Sequence, residues 1–379
     1  MDGKDPGHVS HRTTGGELKR LKRGKAGKVL MRIVDMHCDT ISVLLQKKRA
    51  NKATGLREND CHIDIGKMRK GDYLLQNFAL FVNLGACGDP WQEVQELFRL
   101  YEQEMSENRD VIAPVFTYND IEKNCLKGRM SALLTVEEGG VCGGDLEKLR
   151  RLYGQGVRMM TLTWNYPNEL GYPNLDGEQG KKLKDAEKNG GTPALQQETL
   201  HYLNTPNVKD GLTQTGILFV QEMEKLGMIV DVSHLSDAGF CDVLANTKKP
   251  FVASHSNART LCPCVRNMSD DMIRRLAERG GVMGLNFCAD FLTQVMPGEQ
   301  NPGTVAAVAA HARHIVSVGG MECLGLGSDF DGIETHAELP GADQMDRLAD
   351  TLKKSGFTEG QLDKILKDNV LRVYREILK

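Results

Sequence analysis

Eight short apolar runs, each closed by polar or glycine residues and followed by a helical pattern, restrict what this chain of 379 residues can fold into. They occupy residues 32–36, 77–84, 131–136, 158–163, 228–233, 250–254, 281–287 and 323–327. Apolar runs this short fit strands buried on both faces of a parallel sheet. Between them Trp91, Val94, Leu97, Phe98, Tyr101 and Met105 recur at helical spacing, as do Val305, Val308, Ala312 and Ile315. Thr358 and Gln361 have the spacing of a capping box ahead of Leu362, Ile365, Leu366, Val370, Val373, Tyr374 and Ile377. Eight strands, each followed by helix, predict an α/β fold of the closed (β/α)8 TIM barrel type; a doubly wound open sheet is the alternative.

A barrel uses this many residues as one unit, so residues 31–379 are expected to form a single catalytic domain. Hydrophobic residues make up 40% of the chain, enough for one large core, and the net charge of −3 favours neither nucleic acid nor an anionic membrane. The ten cysteines lack CxxC pairs and read as reduced thiols. Residues 1–30 hold Lys4, Arg12, Lys19, Arg20, Lys22, Arg23, Lys25 and Lys28 with few large apolar side chains, and are expected to be a disordered basic extension. They lack the apolar stretch of a signal peptide, and no run spans a membrane, so a soluble cytoplasmic protein is expected. Residues 164–216, rich in Gly, Asn, Lys and Asp, break the rhythm after the fourth run. They are expected to form a long loop over the C-terminal face of the barrel, a lid or pocket wall that is partly helical around 194–203.

The placement of polar residues carries the functional information. The first run ends in Asp35-Met36-His37-Cys38-Asp39-Thr40, and the third in Glu137-Glu138-Gly139-Gly140. The fifth ends in Asp231-Val232-Ser233-His234, the sixth in Ser254-His255-Ser256 and the eighth in Ser328-Asp329-Phe330-Asp331-Gly332. In a strand His37 and Asp39 point the same way and Cys38 the other, so Cys38 reads as core. A lone histidine after a strand is usually a satisfied loop residue, and an acid there is often a helix cap. Five coincidences at the same end of five strands are harder to dismiss, because a barrel gathers those ends around one mouth. Imidazoles and carboxylates without thiolates suit zinc or a similar divalent ion, and the set is large enough for two ions sharing a carboxylate.

His37-x-Asp39, Val136-Glu137 with its following Gly pair, Arg158-x-x-Thr161-Leu162-Thr163, Ser233-His234, Ser254-His255-Ser256, Arg266-Asn267 before Asp270-Asp271, and Gly327-x-Asp329-Phe330-Asp331-Gly332 appear in order between about Ile33 and Tyr374. This ordered set resembles the membrane (renal) dipeptidase family. The resemblance implies two zinc ions bridged by a glutamate, which matches Glu137, with Glu138 as the alternative. It assigns His37 and Asp39 to one ion, and His234 and His255 to the other. It further implies that Arg266 grips the carboxylate of a dipeptide substrate, that Asp329 handles protons, and that a D-residue is tolerated at the C-terminal position. A homodimer is compatible with the sequence. One position departs from the family pattern: Trp164 stands where mammalian members carry a histidine thought to steady the tetrahedral intermediate. The rival readings are a metal-dependent amidohydrolase acting on a lactone or cyclic amide, and a non-catalytic metal- or peptide-binding barrel. Many amidohydrolases of that kind bridge their metals with a modified lysine, and no lysine ends a strand here.

Overall fold

A ring of eight parallel strands organises the chain. The computed structural model describes residues 31–188, 192–334 and 336–379, so the expectation for residues 1–30 lies outside the described residues. The ring runs through β1 (Ile33–Asp35), β2 (Tyr73–Phe81), β4 (Met130–Glu137), β5 (Val157–Thr161), β6 (Ile229–Asp231), β7 (Val252–Ala253), β8 (Val282–Leu285) and β9 (Leu324–Leu326). It closes because β1 pairs with β9 and β2 pairs with β4 as well as with β1. Each of the eight apolar runs overlaps one barrel strand, and Arg32–Lys379 form one compact unit. A ninth strand, β3 (Ile112–Pro114), pairs only with the start of β4, outside the ring. Three residues ending in proline give little signal, and proline confines such a strand to an edge.

β2 begins at Tyr73 rather than at residue 77. Gln76 and Asn77 interrupt its apolar run, yet both are buried, and Asn77 Nδ2 donates to Tyr374 Oη at 2.7 Å. Tyr374 belongs to the C-terminal helix Asn369–Ile377, whose Val370, Val373, Tyr374 and Ile377 pack against Val34, Leu75, Leu133, Met159 and Val282 of the strands. Arg372 of that helix donates to Gly280 O, just before β8, so the helix closes the barrel end opposite the mouth. The capping box at Thr358 and Gln361 forms. So does the stripe on Pro90–Glu107, where Val94, Leu97, Phe98, Tyr101 and Met105 are buried.

Among the described residues, the segment 164–216 carries two whole helices, Gly177–Lys188 and Pro193–Asn204, of which only the second was expected, and the start of a third, Gln214–Leu226. The first is almost wholly polar, with Leu183 buried, and so shows no apolar stripe. It is started by Asp176, whose side chain accepts from Glu178 N and Gln179 N. It is tied to its partner by Tyr202 Oη donating to Asp176 O at 2.6 Å. No described helix is long and apolar enough to cross a membrane.

Candidate active site

The C-terminal ends of β1, β4, β6, β7 and β9 bring His37, Asp39, Glu137, His234, His255 and Asp329 together, all of them buried. His37 Nε2 lies 3.3 Å from Asp39 Oδ2, 3.3 Å from Glu137 Oε2 and 3.9 Å from Asp329 Oδ1. The other oxygen of Glu137 lies 3.0 Å from His234 Nε2 and 3.5 Å from His255 Nε2. One carboxylate therefore faces a His–Asp–Asp group with one oxygen and a pair of histidines with the other. Cys38 points away, its thiol on Asn77 O. Glu138 also turns away: it accepts from Gly140 N at 2.7 Å, from Trp164 N at 3.1 Å and from the Asn168 amide, pinning the loop after β5.

The strands must turn sharply to aim these groups inward. Among the described residues, seven non-glycine positions have positive φ, and four lie at this mouth: Glu138 (102°), His234 (68°), Asp329 (62°) and Asp331 (70°). Each such conformation costs about 1–3 kcal/mol and persists only where its surroundings over-determine it. The neighbours do so here. Asp331 is held by Thr40 Oγ1 at 2.6 Å and His62 N at 2.6 Å, and Asp329 by Asn286 Nδ2 at 2.9 Å.

A second ring of contacts sets the histidine tautomers. Ser254 Oγ donates its single hydrogen to Asp231 Oδ2 at 2.5 Å and stands 2.8 Å from His255 Nδ1, so that nitrogen must carry the proton. Asp231 is itself fixed by Ser233 N, Ser254 N and Thr161 Oγ1. His234 Nδ1 faces Asn165 Oδ1 at 3.0 Å, and because an amide oxygen carries no hydrogen this nitrogen is the donor. Both Nε2 atoms are then bare and converge on Glu137 Oε1, three lone pairs with no hydrogen among them. Burial, reinforced by the Arg266 charge, holds His234 down at about 4, and burial with the His37 charge holds His255 well below the usual imidazole range.

The opposite flank also has room for a cation. Asp39 Oδ1 is buried without a partner. A Cβ on Gly332 would lie 2.2 Å from Asp39 Oδ2 and 2.4 Å from Asp329 Oδ1, so only glycine leaves the space between these carboxylates open. Ligand-type atoms converge in two groups, His37–Glu137–His255 and His37–Asp39–Asp329. Imidazole and carboxylate donors of this kind fit a divalent ion on either side of Glu137. Burial opposes charge throughout, but Glu137 and Asp39 outweigh it at His37 and hold that imidazole well above its usual value. Burial and then the Glu137 charge push Asp39 up to about 6. Burial, with the charges of Asp39 and Glu137, pushes Asp329 up to about 7.

Arg266 is 4% exposed, which excludes an ordinary surface arginine. Asp270 pairs with His314 and Asp271 with Arg274 and Arg275, leaving the guanidinium over the Phe291 ring at 5.4 Å, with Nη2 3.4 Å from His255 O. Trp164 borders the mouth, its ring 5.0 Å from Phe81 and 6.2 Å from His234. The sequence offered no signal for Asn165 or Asn286 as supports, because each acts on a residue distant in the chain; Ser254 stands beside His255 in the quoted motif, but its tie to Asp231 is made only by the fold. Arg158, part of the quoted motif, donates to Phe116 O and Tyr153 O, away from the mouth.

A family model described as membrane dipeptidase, peptidase family M19, matches residues 23–205 and 191–379. An uncharacterized dipeptidase of Schizosaccharomyces pombe is 31% identical over 373 residues, covering 91% of this chain and 80% of that protein. Two solved metallopeptidase structures share the fold at a TM-score of 0.78. One, dipeptidase AC of family M19, is 22% identical, with 92% of this chain and 99% of that one covered. The other, from Rhodobacter sphaeroides and liganded with a phosphinate mimic of the dipeptide L-Ala-D-Ala, is 21% identical, with 91% and 99% covered.

Proposed function

The chain belongs to the membrane dipeptidase family, metallopeptidase family M19, and from that premise we propose that it is a zinc-dependent enzyme cleaving free dipeptides, including those ending in a D-residue. Glu137, with His37 and Asp39 on one side and His234 and His255 on the other, would hold two divalent ions. The observation that carries this reading is the convergence of bare His234 Nε2, bare His255 Nε2 and Glu137 Oε1, while Glu137 Oε2 faces His37.

When bound, such a pair of ions supplies a water ionised near neutral pH and positive charge opposite the carbonyl oxygen. The protein's own groups do the rest. Arg266 pairs with the terminal carboxylate through its fork of donors and so limits the substrate to very short peptides. Asp329 takes the proton of the attacking water and returns it to the leaving amine. Asn286 orients Asp329. Trp164 packs beside His234 in place of the family's histidine, and its indole can donate a hydrogen bond but cannot titrate.

The test is a zinc-loaded assay on matched L,L- and L,D-dipeptides. Release of both amino acids is expected. Turnover of lactones or cyclic amides alone, or zinc binding with no turnover, rejects the proposal.

A further inference from the structure

A cavity of about 390 Å³ lies between the helix pair Gly177–Lys188 and Pro193–Asn204, the turn after β7 and the segment after β8. Leu183, Leu200 and Leu203 line it from the pair, and Phe291 and Met296 from the opposite wall. Its charged lining residues, Lys184, Asp290 and Glu299, are all exposed and so stand at its outer edge. The volume falls within the range of small-molecule pockets, roughly 300–1,000 Å³.

This cavity and the proposed substrate grip share Phe291. Phe291, a lining residue, carries the Arg266 guanidinium 5.4 Å above its ring. Cys264, another, is two residues from Arg266. The walls are pinned. Asn267 Nδ2 donates to Cys262 O and Phe291 O, both at 2.9 Å, and Val265 N donates to Leu203 O at 2.8 Å, tying the turn to both other walls.

We propose that this cavity receives the side chain of the substrate residue whose carboxylate Arg266 holds, and that it selects dipeptides ending in a large apolar residue such as leucine, methionine or phenylalanine. The inference rests on the dipeptidase reading. A terminal side chain branches one bond from its carboxylate, so a carboxylate on Arg266 puts that side chain beside Phe291. A charged side chain would lose its water against leucines and phenylalanine with no buried opposite charge among the lining residues, and a methyl group would leave the space unfilled.

The experiment measures kcat/KM of the zinc-loaded chain for Ala-Gly, Ala-Ala, Ala-Leu and Ala-Phe. Ala-Leu and Ala-Phe are expected to exceed Ala-Gly by at least ~10-fold, since a single methylene in an apolar pocket is worth about 10–200-fold. Filling the cavity from either wall, by Leu200→Trp or Met296→Trp, should bring the Ala-Phe to Ala-Gly ratio down towards one. Turnover of Ala-Gly with no preference for the larger residues, or a ratio that survives both substitutions, overturns the cavity assignment alone. Absence of turnover on every dipeptide instead sinks the dipeptidase reading, and this inference with it.

Discussion

His234 Nε2 and His255 Nε2 face each other at 3.0 Å, and neither nitrogen has a proton to share. Ser254 and Asn165 claim the hydrogens on the far side of the two rings. Outer contacts of this kind usually change metal affinity by about 10–100-fold when removed. Ser254→Ala should therefore weaken zinc binding within that range, read by competition with a chelating dye, while His234→Ala should remove about one equivalent of metal. Unchanged affinity in Ser254→Ala would show that the Asp231–Ser254 relay does not set the tautomer.

Asp329 lies close enough to His37 and Asp39 to be either a ligand or a proton carrier. The two roles separate in Asp329→Asn. As a proton carrier it should keep its metal and lose about 10²–10⁴-fold in kcat, the usual contribution of general acid–base catalysis. Loss of metal from this variant would make Asp329 a ligand. Full activity would move proton transfer to Asp331.

Arg266→Ala should lower kcat/KM for free dipeptides by about 1.5–3 kcal/mol, the worth of a charged hydrogen bond. Dipeptide amides lack the carboxylate, so they should be poor substrates and little affected by the change. Equal losses on both substrate types would rule out the grip.

Metal uptake should release protons. Burial and neighbouring acids push Asp39 up to about 6 and Asp329 up to about 7, and His37 is held well above its usual value. Near neutral pH the metal-free mouth therefore holds protons that a cation must displace, so zinc affinity rises with pH between about 6 and 8. A pH indicator in weak buffer reads the release during zinc titration. Uptake without it would contradict the buried acidic cluster.

Gly332→Ala should lower metal content and activity together, because the added methyl occupies the space between Asp39 and Asp329. Element analysis after dialysis checks this. A variant with full zinc and full turnover would mean that the space serves no ligand.

The barrel and the candidate groups were legible because both follow local rules. Strands buried on two faces are apolar throughout, and the residues just past them gather at one mouth once the ring closes. Alternation along β1 also separated His37 and Asp39 from Cys38 without any structure. An ungapped strand favoured Glu137 over Glu138, and Glu138, at φ 102°, turns to the loop after β5. Gln76 and Asn77 hid the start of β2, since their burial depends on partners inside the ring, Tyr374 among them. The supports from other strands and loops lay beyond any local rule. Asn165 reaches His234 across 69 positions, and Ser328 Oγ donates to Asp35 across 293. Such contacts exist only after the ring closes, which is why the sequence by itself determined which residues could do chemistry, while the tertiary structure decided their tautomers, the two faces of Glu137 and the cavity beside Arg266.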